Sequence, residues 1–343
     1  MMKDILSPQE LLALMRVLQN SRKIIVCAHR GPDGDAMGSA LGFAEYLRNL
    51  GKSVAIIMPT PCPDFLQWLP GSETVIYYDH KQNLANSLIS TADLICCLDF
   101  NSLHRLQDMA PAIEKSRAER LMIDHHIGPD LSVAKTIISH PEMSSTSEIV
   151  FRILYQVGGY ETMSRNGAAA IYCGMMTDTG GFTYSSNDPE IYAIISLLLQ
   201  KGIDKDRIYR NVFNNYSPSR MRFLGYVLYE KLKFYEGDKA SIFAITREEM
   251  KRFNFIRGDA EGVVNFPLQV KGMKLSISLR EDTERDVVRV SLRSVDDFPC
   301  NKMAEEFFNG GGHLNASGGE LPFPLEEAIK TAEHAIEAYK DLL

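Results

Sequence analysis

Apolar residues in the first half of this chain fall into short blocks with two alternating spacings. Ile24 to Ala28, Val54 to Met58, Leu94 to Leu98 and Leu121 to Ile123 are unbroken apolar runs of strand length, the pattern of strands covered on both faces. Between the first two, Met37, Leu41, Ala44, Leu47 and Leu50 recur at helical spacing across Asp35 to Leu50. Helical stretches follow around Leu84 to Ile89 and Ala110 to Arg117. Glu148 to Val157 is amphipathic, and Asn166 to Met176 is a helix-like run of small residues. Asp188-Pro189 opens another helix through Ile191 to Leu199, with Gly202 as its stop. Strand and helix in alternation predict an α/β fold, a parallel sheet flanked by helices.

The second half reads differently. Gly202 to Tyr229 is richer in charge and aromatics, and Ile208, Val212, Met221, Leu224, Val227 and Leu228 give it a helical pattern suited to a connector. Beyond it, Ala240 to Ala244, Lys274 to Arg280 and Val287 to Arg293 read as strands. The last two alternate, with Leu275, Ile277 and Leu279, then Val288, Val290 and Leu292, on one face. Thr246-Arg247-Glu248-Glu249 is a capping box for a helix between them. Met303 to Phe308 is helical, and a final helix is expected over Leu325 to Leu342. The expected division is residues 1–200, a connector at 201–230, and a smaller α/β domain at 231–343.

Length supports that division, because 343 residues exceed what one hydrophobic core usually serves. With 45% hydrophobic and 24% charged residues the composition is that of a soluble globular protein. No apolar run approaches the roughly 18 residues of a membrane span, and Met1-Met2-Lys3-Asp4 is not a secretory start. A cytoplasmic location with no membrane partner is expected. The six cysteines, Cys27, Cys62, Cys96, Cys97, Cys173 and Cys300, are scattered and several lie in apolar runs. They read as reduced core residues, not as a disulfide framework or a zinc site. A formal charge of −7 argues against gripping long duplex nucleic acid. It leaves room for a small phosphorylated substrate or a very short oligonucleotide.

The chemistry-bearing residues gather where apolar runs end. His29-Arg30-Gly31-Pro32-Asp33-Gly34-Asp35 follows one strand, Asp99 another, and Asp124-His125-His126 a third; Asp178 closes the small-residue helix and precedes Gly180-Gly181. Each alone has an ordinary explanation: Asp99 as a turn or helix cap, Pro-Asp-Gly-Asp as a turn, the two histidines as an exposed or hydrogen-bonded pair. Their recurrence behind successive strands, where open α/β sheets bind ligands, points instead to one metal site. Six O and N donors without a thiolate suit a pair of divalent ions such as Mn²⁺, Mg²⁺ or Co²⁺.

In this order, His29-x-x-x-Asp33-x-Asp35 with Gly38-Ser39, then Asp99, then Asp124-His125-His126, then Thr177-Asp178-Thr179-Gly180-Gly181-Phe182 resemble the four motifs of the DHH phosphoesterase superfamily. Gly310-Gly311-Gly312-His313-x-x-Ala316-x-Gly318-Gly319 resembles the signature of its DHH-associated C-terminal domain, DHHA1, which brings a mixed sheet. Length and layout are similar to the nano-RNase and pAp-phosphatase group. An exonuclease of the RecJ type would be longer, and a soluble inorganic pyrophosphatase would lack the Gly310 to Gly319 signature.

The resemblance implies His29 and Asp33 on one metal, Asp35, His125 and Asp178 on the other, and Asp99 between them. A tight turn at Gly34 would aim Asp33 and Asp35 at different ions. Paired ions can activate water and polarise phosphoryl oxygens for in-line attack. Asp124 is a candidate outer partner for a histidine, and His126 either contacts the substrate phosphate or assists the leaving oxygen. Arg293 matches an arginine that family members present from the second domain, against the plain alternative of a solvent-facing strand residue. Arg105 is a further candidate for the phosphate and Arg280 a weaker one. Gly311, Gly312 and His313 read as a nucleotide-binding loop, although Gly310 to Gly312 could also be a helix stop. Ser145-Thr146-Ser147-Glu148 reads locally as a helix N-terminus, to which the resemblance adds a hint of proximity to the active site, and Trp68 reads as packing.

The function implied is an Mn²⁺-dependent phosphoesterase that cuts very short single-stranded RNA to 5′-mononucleotides and removes the 3′-phosphate of 3′-phosphoadenosine 5′-phosphate (pAp). A cleft between the domains would favour short ligands, and the group is compatible with a homodimer. The competing readings are a cyclic di-AMP or pApA phosphodiesterase on the same fold, and a nucleotide-binding regulator without turnover.

Overall fold

The computed structural model describes residues 2–256 and 258–343. Two compact units make up the chain, Met1–Asn215 and Tyr216–Leu343. The segment 201–230 contributes a helix to each of them. No helix among the described residues is long and apolar enough to cross a membrane.

The first unit runs α1 (Pro8–Gln19), β1 (Lys23–Cys27), α2 (Gly34–Asn49), β2 (Ser53–Met58), β3 (Ile76–Tyr77), α3 (Gln82–Ser90) and β4 (Leu94–Leu98). It continues with α4 (Ala110–Lys115), β5 (Glu119–Asp124), β6 (Thr136–Ser139), α5 (Thr146–Gln156), α6 (Arg165–Asp178), α7 (Pro189–Gln200) and α8 (Lys205–Phe213). All six strands are parallel, in the order β3-β2-β1-β4-β5-β6. Ile24, Val26, Leu94 and Cys96 face one core, which α1, α2, α5 and α6 cover. Ile25, Cys27, Ile95 and Cys97 face a second core under α3 and α4. Burial on both faces explains the unbroken apolar runs. In this strand order the winding reverses between β1 and β4, and that crevice is where a doubly wound sheet binds ligands.

Glycines set how closely α2 meets α6. A Cβ at Gly34 would overlap the Thr177 side chain, one at Gly38 the carbonyl oxygen of Ala170, and one at Gly42 the side chain of Ile171. Spaced four apart, they form one stripe along α2. Gly34 is therefore the first residue of a helix, N-capped by Asp33, and not the turn expected from the sequence. Its smallness serves the helix crossing.

The second unit comprises α9 (Pro218–Tyr226), β7 (Lys233–Tyr235), β8 (Ala240–Ile245), α10 (Arg247–Arg252), β9 (Leu275–Glu281) and β10 (Val287–Ser294). It ends with α11 (Cys300–Phe307), β11 (Gly311–His313), β12 (Ala316–Pro322) and α12 (Leu325–Ala338). The sheet is mixed, in the order β11-β12-β10-β9-β8-β7, with β8 and β9 parallel and the other pairs antiparallel. Burial alternates strictly along β10. Its Val288, Val290 and Leu292 share a core with Met303 and Ala304 of α11 and Ala328 and Ala332 of α12. Thr246 and Glu249 form the expected capping box. The last helix stops at Ala338, short of Leu342, and a single 3₁₀ turn completes the chain. All six cysteines are free and buried.

Candidate metal centre

Three parallel strands end side by side and deliver the first residues of the site. β1 leads to His29 and β4 to Asp99, one on each side of the reversal point, while β5 ends in Asp124 and hands on to His125 and His126. Asp35 stands in the first turn of α2 and Asp178 in the last turn of α6, two helices that the glycine stripe holds together. His29, Asp35, Asp99, Asp124 and His125 are all buried, whereas Asp33 and Asp178 keep 44% and 28% of their side chains exposed. The accessible edge of the cluster thus lies along Asp33 and Asp178.

Asp99 occupies the centre. Its Oδ2 lies 3.4 Å from His29 Nε2, and its Oδ1 lies 3.7 Å from His125 Nε2. Asp33 Oδ2 is 3.7 Å from His29 Nε2, and Asp178 Oδ2 and Asp35 Oδ2 are 3.3 and 4.0 Å from His125 Nε2. Ligand atoms of His29, Asp33 and Asp99 lie within 4.8 Å of one another, as do those of Asp35, Asp99 and His125. Asp99 belongs to both triads. It reaches them from a left-handed backbone, φ 61°, a conformation that Asp and Asn tolerate better than most residues.

Ring tautomers follow from the outer contacts. His29 Nδ1 donates to the Arg30 carbonyl at 3.0 Å and His125 Nδ1 to the Met143 carbonyl at 3.4 Å. Each neutral ring then turns a lone pair on Nε2 toward carboxylate oxygens. Lone pair facing lone pair is repulsive, and only a proton or a cation relieves it. The titration behaviour agrees. Burial, with repulsion from Asp99 and Asp178, pushes Asp35 well up; burial, with repulsion from Asp33 and Asp99, does the same to Asp178. Burial works against a charged His29, yet Asp33 and Asp99 carry its pKa up to about 10. Asp99 is held low against its own burial by the imidazoles, His29 foremost. The cluster carries more negative charge than its own groups neutralise, and its oxygens and imidazoles can hold metal ions.

His126 is arranged differently. Its Nδ1 donates to Asp124 Oδ1 at 2.8 Å, and its Nε2 accepts from a guanidinium N–H of Arg105 at 2.8 Å. Asp124, His126 and Arg105 form a chain in which the ring couples an inner carboxylate to an outer cation. Asp124 also accepts from the His126 backbone N–H at 3.2 Å.

Thr146 and Ser147 complete the surroundings of Asp35, donating backbone N–H groups to its Oδ2 and Oδ1 at 2.7 and 2.8 Å. Locally their motif reads as a helix start and the family resemblance only hints at nearness to the active site; the partner carboxylate lies over a hundred residues away in sequence.

The remaining candidates belong to the second unit. Arg293 is half-buried on β10 and donates to the carbonyl of its neighbour Leu292 at 2.8 Å. Arg280 lies over the Phe255 ring, 5.4 Å from its centroid. Gly310 closes α11, its N–H donating to the Ala304 carbonyl at 3.1 Å, and the rest of the glycine signature forms the hairpin β11–β12. Gly310, Gly312 and Gly319 are forced by packing: a Cβ there would meet the backbone of Gly318, Ala316 and Phe308, and Gly312 has φ 144°. At Gly311 nothing lies closer than 3.9 Å. His313 ends β11 and its carbonyl accepts from the Ser317 hydroxyl at 2.8 Å. Trp68 packs on the first unit's core and donates to the Phe65 carbonyl at 2.8 Å.

Comparison with known proteins finds two family domains in the chain. The DHH family, N-terminal domain, matches residues 23–175, and the DHHA1 domain matches residues 242–339. A bifunctional oligoribonuclease and PAP phosphatase, NrnA, of Thermus thermophilus is 26% identical over 321 residues, 93% of this chain and 90% of that protein. The cyclic-di-AMP phosphodiesterase PdeA of Listeria monocytogenes is 23% identical over 95% of this chain but 49% of its own length. The crystal structure of an exopolyphosphatase-related protein from Bacteroides fragilis superposes with a TM-score of 0.95 at 49% identity, covering 99% of both chains.

Proposed function

Since this chain belongs to the DHH family and carries its DHHA1 domain, a hydrolase of phosphoester bonds, we propose that it cleaves very short oligoribonucleotides to 5′-mononucleotides and dephosphorylates pAp to AMP. The observation that carries the reading is the pair of triads sharing Asp99. The donor set fits hard divalent cations, among which we take Mn²⁺ as the ion to test: four carboxylates and two imidazoles with Nε2 turned inward, and no thiolate. His29 and Asp33 would hold one ion, Asp35, His125 and Asp178 the other, and Asp99 both. Such ions supply Lewis-acid charge and an activated water.

The chain's own groups supply the rest. The Arg30 and Met143 carbonyls fix the tautomers of the two coordinating rings. Arg105 offers its guanidinium to the phosphate and is aimed by His126, which Asp124 orients in turn. With Nε2 accepting from Arg105, His126 carries its proton on Nδ1. Neither ring nitrogen then has a proton to give to a phosphate or a leaving oxygen, so the part of His126 in this arrangement is to aim Arg105. Arg293, Gly311, Gly312 and His313 are the second unit's contribution to binding the nucleotide.

A cyclic di-AMP or pApA phosphodiesterase is the second reading. Relatives with that name are matched over half their length, whereas the NrnA protein is matched over nine-tenths. The test is incubation with Mn²⁺ and, separately, pAp, a five-nucleotide RNA, pApA, cyclic di-AMP and polyphosphate, with Asp99→Ala as control. Release of AMP and phosphate from pAp and of mononucleotides from the RNA, both lost in the control, is the expected result. Turnover confined to the dinucleotides would move the assignment to the second reading, and turnover of polyphosphate alone would overturn both.

A further inference from the structure

Asp99 is pulled from several sides. It stands in a left-handed backbone conformation at a strand end, and His29, His125 and His126 all lie within 3.8 Å of its two oxygens. A carboxylate shared between two ligand sets must hold each oxygen toward its own set, and the backbone alone leaves its rotation about χ2 broad. Apart from the imidazoles, one donor reaches it among the described residues: the Thr146 hydroxyl, 3.1 Å from Oδ1. The same residue's N–H binds Asp35 Oδ2 at 2.7 Å. One fully buried threonine thus ties together the shared carboxylate and a carboxylate of the second triad.

Thr146 is itself held firmly. It opens α5, whose N-cap Ser145 accepts from the Glu148 N–H at 3.0 Å. Glu148 accepts from the Ser144 N–H and hydroxyl at 2.9 and 2.6 Å, and pairs with buried Arg152 at 2.7 Å. Arg152 also bonds Glu190 at the start of α7. The first turn of α5 is therefore braced from behind, away from the carboxylates it serves.

We infer that Thr146 is a positioning residue of the metal centre, its hydroxyl fixing the orientation of the shared Asp99 carboxylate while its N–H fixes Asp35. The inference rests on the reading that these six side chains hold divalent ions. Thr146→Val keeps size and N–H and removes only the hydroxyl; Thr146→Ser restores it. On the full chain, Mn²⁺ alone is titrated calorimetrically and followed by electron paramagnetic resonance, and the metal-free melting temperature is recorded alongside.

The expected result is that Thr146→Val weakens at least one Mn²⁺ site by about tenfold or more and alters the spectrum, with the metal-free melting temperature unchanged, while Thr146→Ser stays near the parent. Mn²⁺ binding left intact by Thr146→Val overturns the inference alone, as does a loss that Thr146→Ser shares. Failure of the unaltered chain to bind Mn²⁺ overturns the metal reading and this inference with it. Should Thr146→Val not fold, Thr146→Ala carries the same comparison.

Discussion

In the first unit the candidate metal ligands stand just beyond the ends of parallel strands or at the facing ends of two helices. In the second, the candidate binding residues lie within strands: Arg293 on β10 and Gly311 to His313 on β11. The contrast follows from the sheets. A parallel sheet covered on both faces has no open side for chemistry, so function gathers where its strands stop. In the mixed sheet β8 is buried on both faces, between α9 and α10 on one side and α11 and α12 on the other, but β10 alternates, with Arg289, Ser291 and Arg293 opposite its buried valines and leucine. The first arrangement sets distances through many buried contacts. The second offers half-exposed side chains such as Arg293 beside glycines that packing holds in place.

Substitutions can break this contrast, and the largest effect is expected at its centre. Asp99→Asn preserves shape and tolerance of positive φ but removes the shared charge; pAp turnover should fall by about a thousandfold, worth several kcal/mol of lost metal catalysis, with the circular dichroism spectrum unchanged. Turnover within tenfold of the parent would deny Asp99 its shared role. Next, Arg152→Met leaves Glu148 buried without its cation, and chemical denaturation should report a loss of about 3–5 kcal/mol. A loss under about 1 kcal/mol would show that the brace behind α5 is dispensable.

Metal addition should separate the units. Mn²⁺ at about one hundred times its dissociation constant should stabilise the first unit by about 2.7 kcal/mol, slowing hydrogen exchange in β1, β4 and β5 and leaving β8 to β10 unaffected. Equal protection in both would contradict a site built from the first unit alone. Arg293→Ala should lower kcat/KM for pAp by about tenfold to a hundredfold, the range of a lost charged hydrogen bond, without moving the melting temperature. The smallest effect is expected from Gly311→Ala. Its Cβ has room, so a drop of about threefold in kcat/KM at unchanged stability, on the order of 0.6 kcal/mol, would mark a ligand contact. No drop would leave the glycine signature with the packing role that Gly310, Gly312 and Gly319 already have.

How much of this could be read from the sequence depended on whether a residue's role was local. Ends of apolar runs are local, and they located His29, Asp99 and Asp124 to His126 before any contact was known. The β10 strand was legible because its alternation is strict. By contrast, β6 is the four-residue Thr136–Ser139, too short and too polar for periodicity to reveal. The start at α1 was passed over although Ser7 and Glu10 form a capping box. Gly34 was misread because Pro-Asp-Gly-Asp has turn composition, while its real constraint is Thr177, far along the chain. The partners of Thr146 were hidden for the same reason, although the family resemblance hinted that its segment lies near the active site. A capping motif announces that a helix begins, not which distant carboxylates its first turn will hold.

The glycine stripe on α2 bears finally on how this protein can change in length. One residue inserted between Gly34 and Gly38 would turn the rest of the helix by about 100° and carry Met37 and Leu41 to the places where Gly38 and Gly42 meet α6. Both side chains would then strike backbone or packed side chain, and Asp35 and Asp178 would part. Insertions and deletions between related sequences should therefore spare α2 and collect in connections such as 59–75, making this stretch of helix a fixed ruler against which their alignments can be anchored.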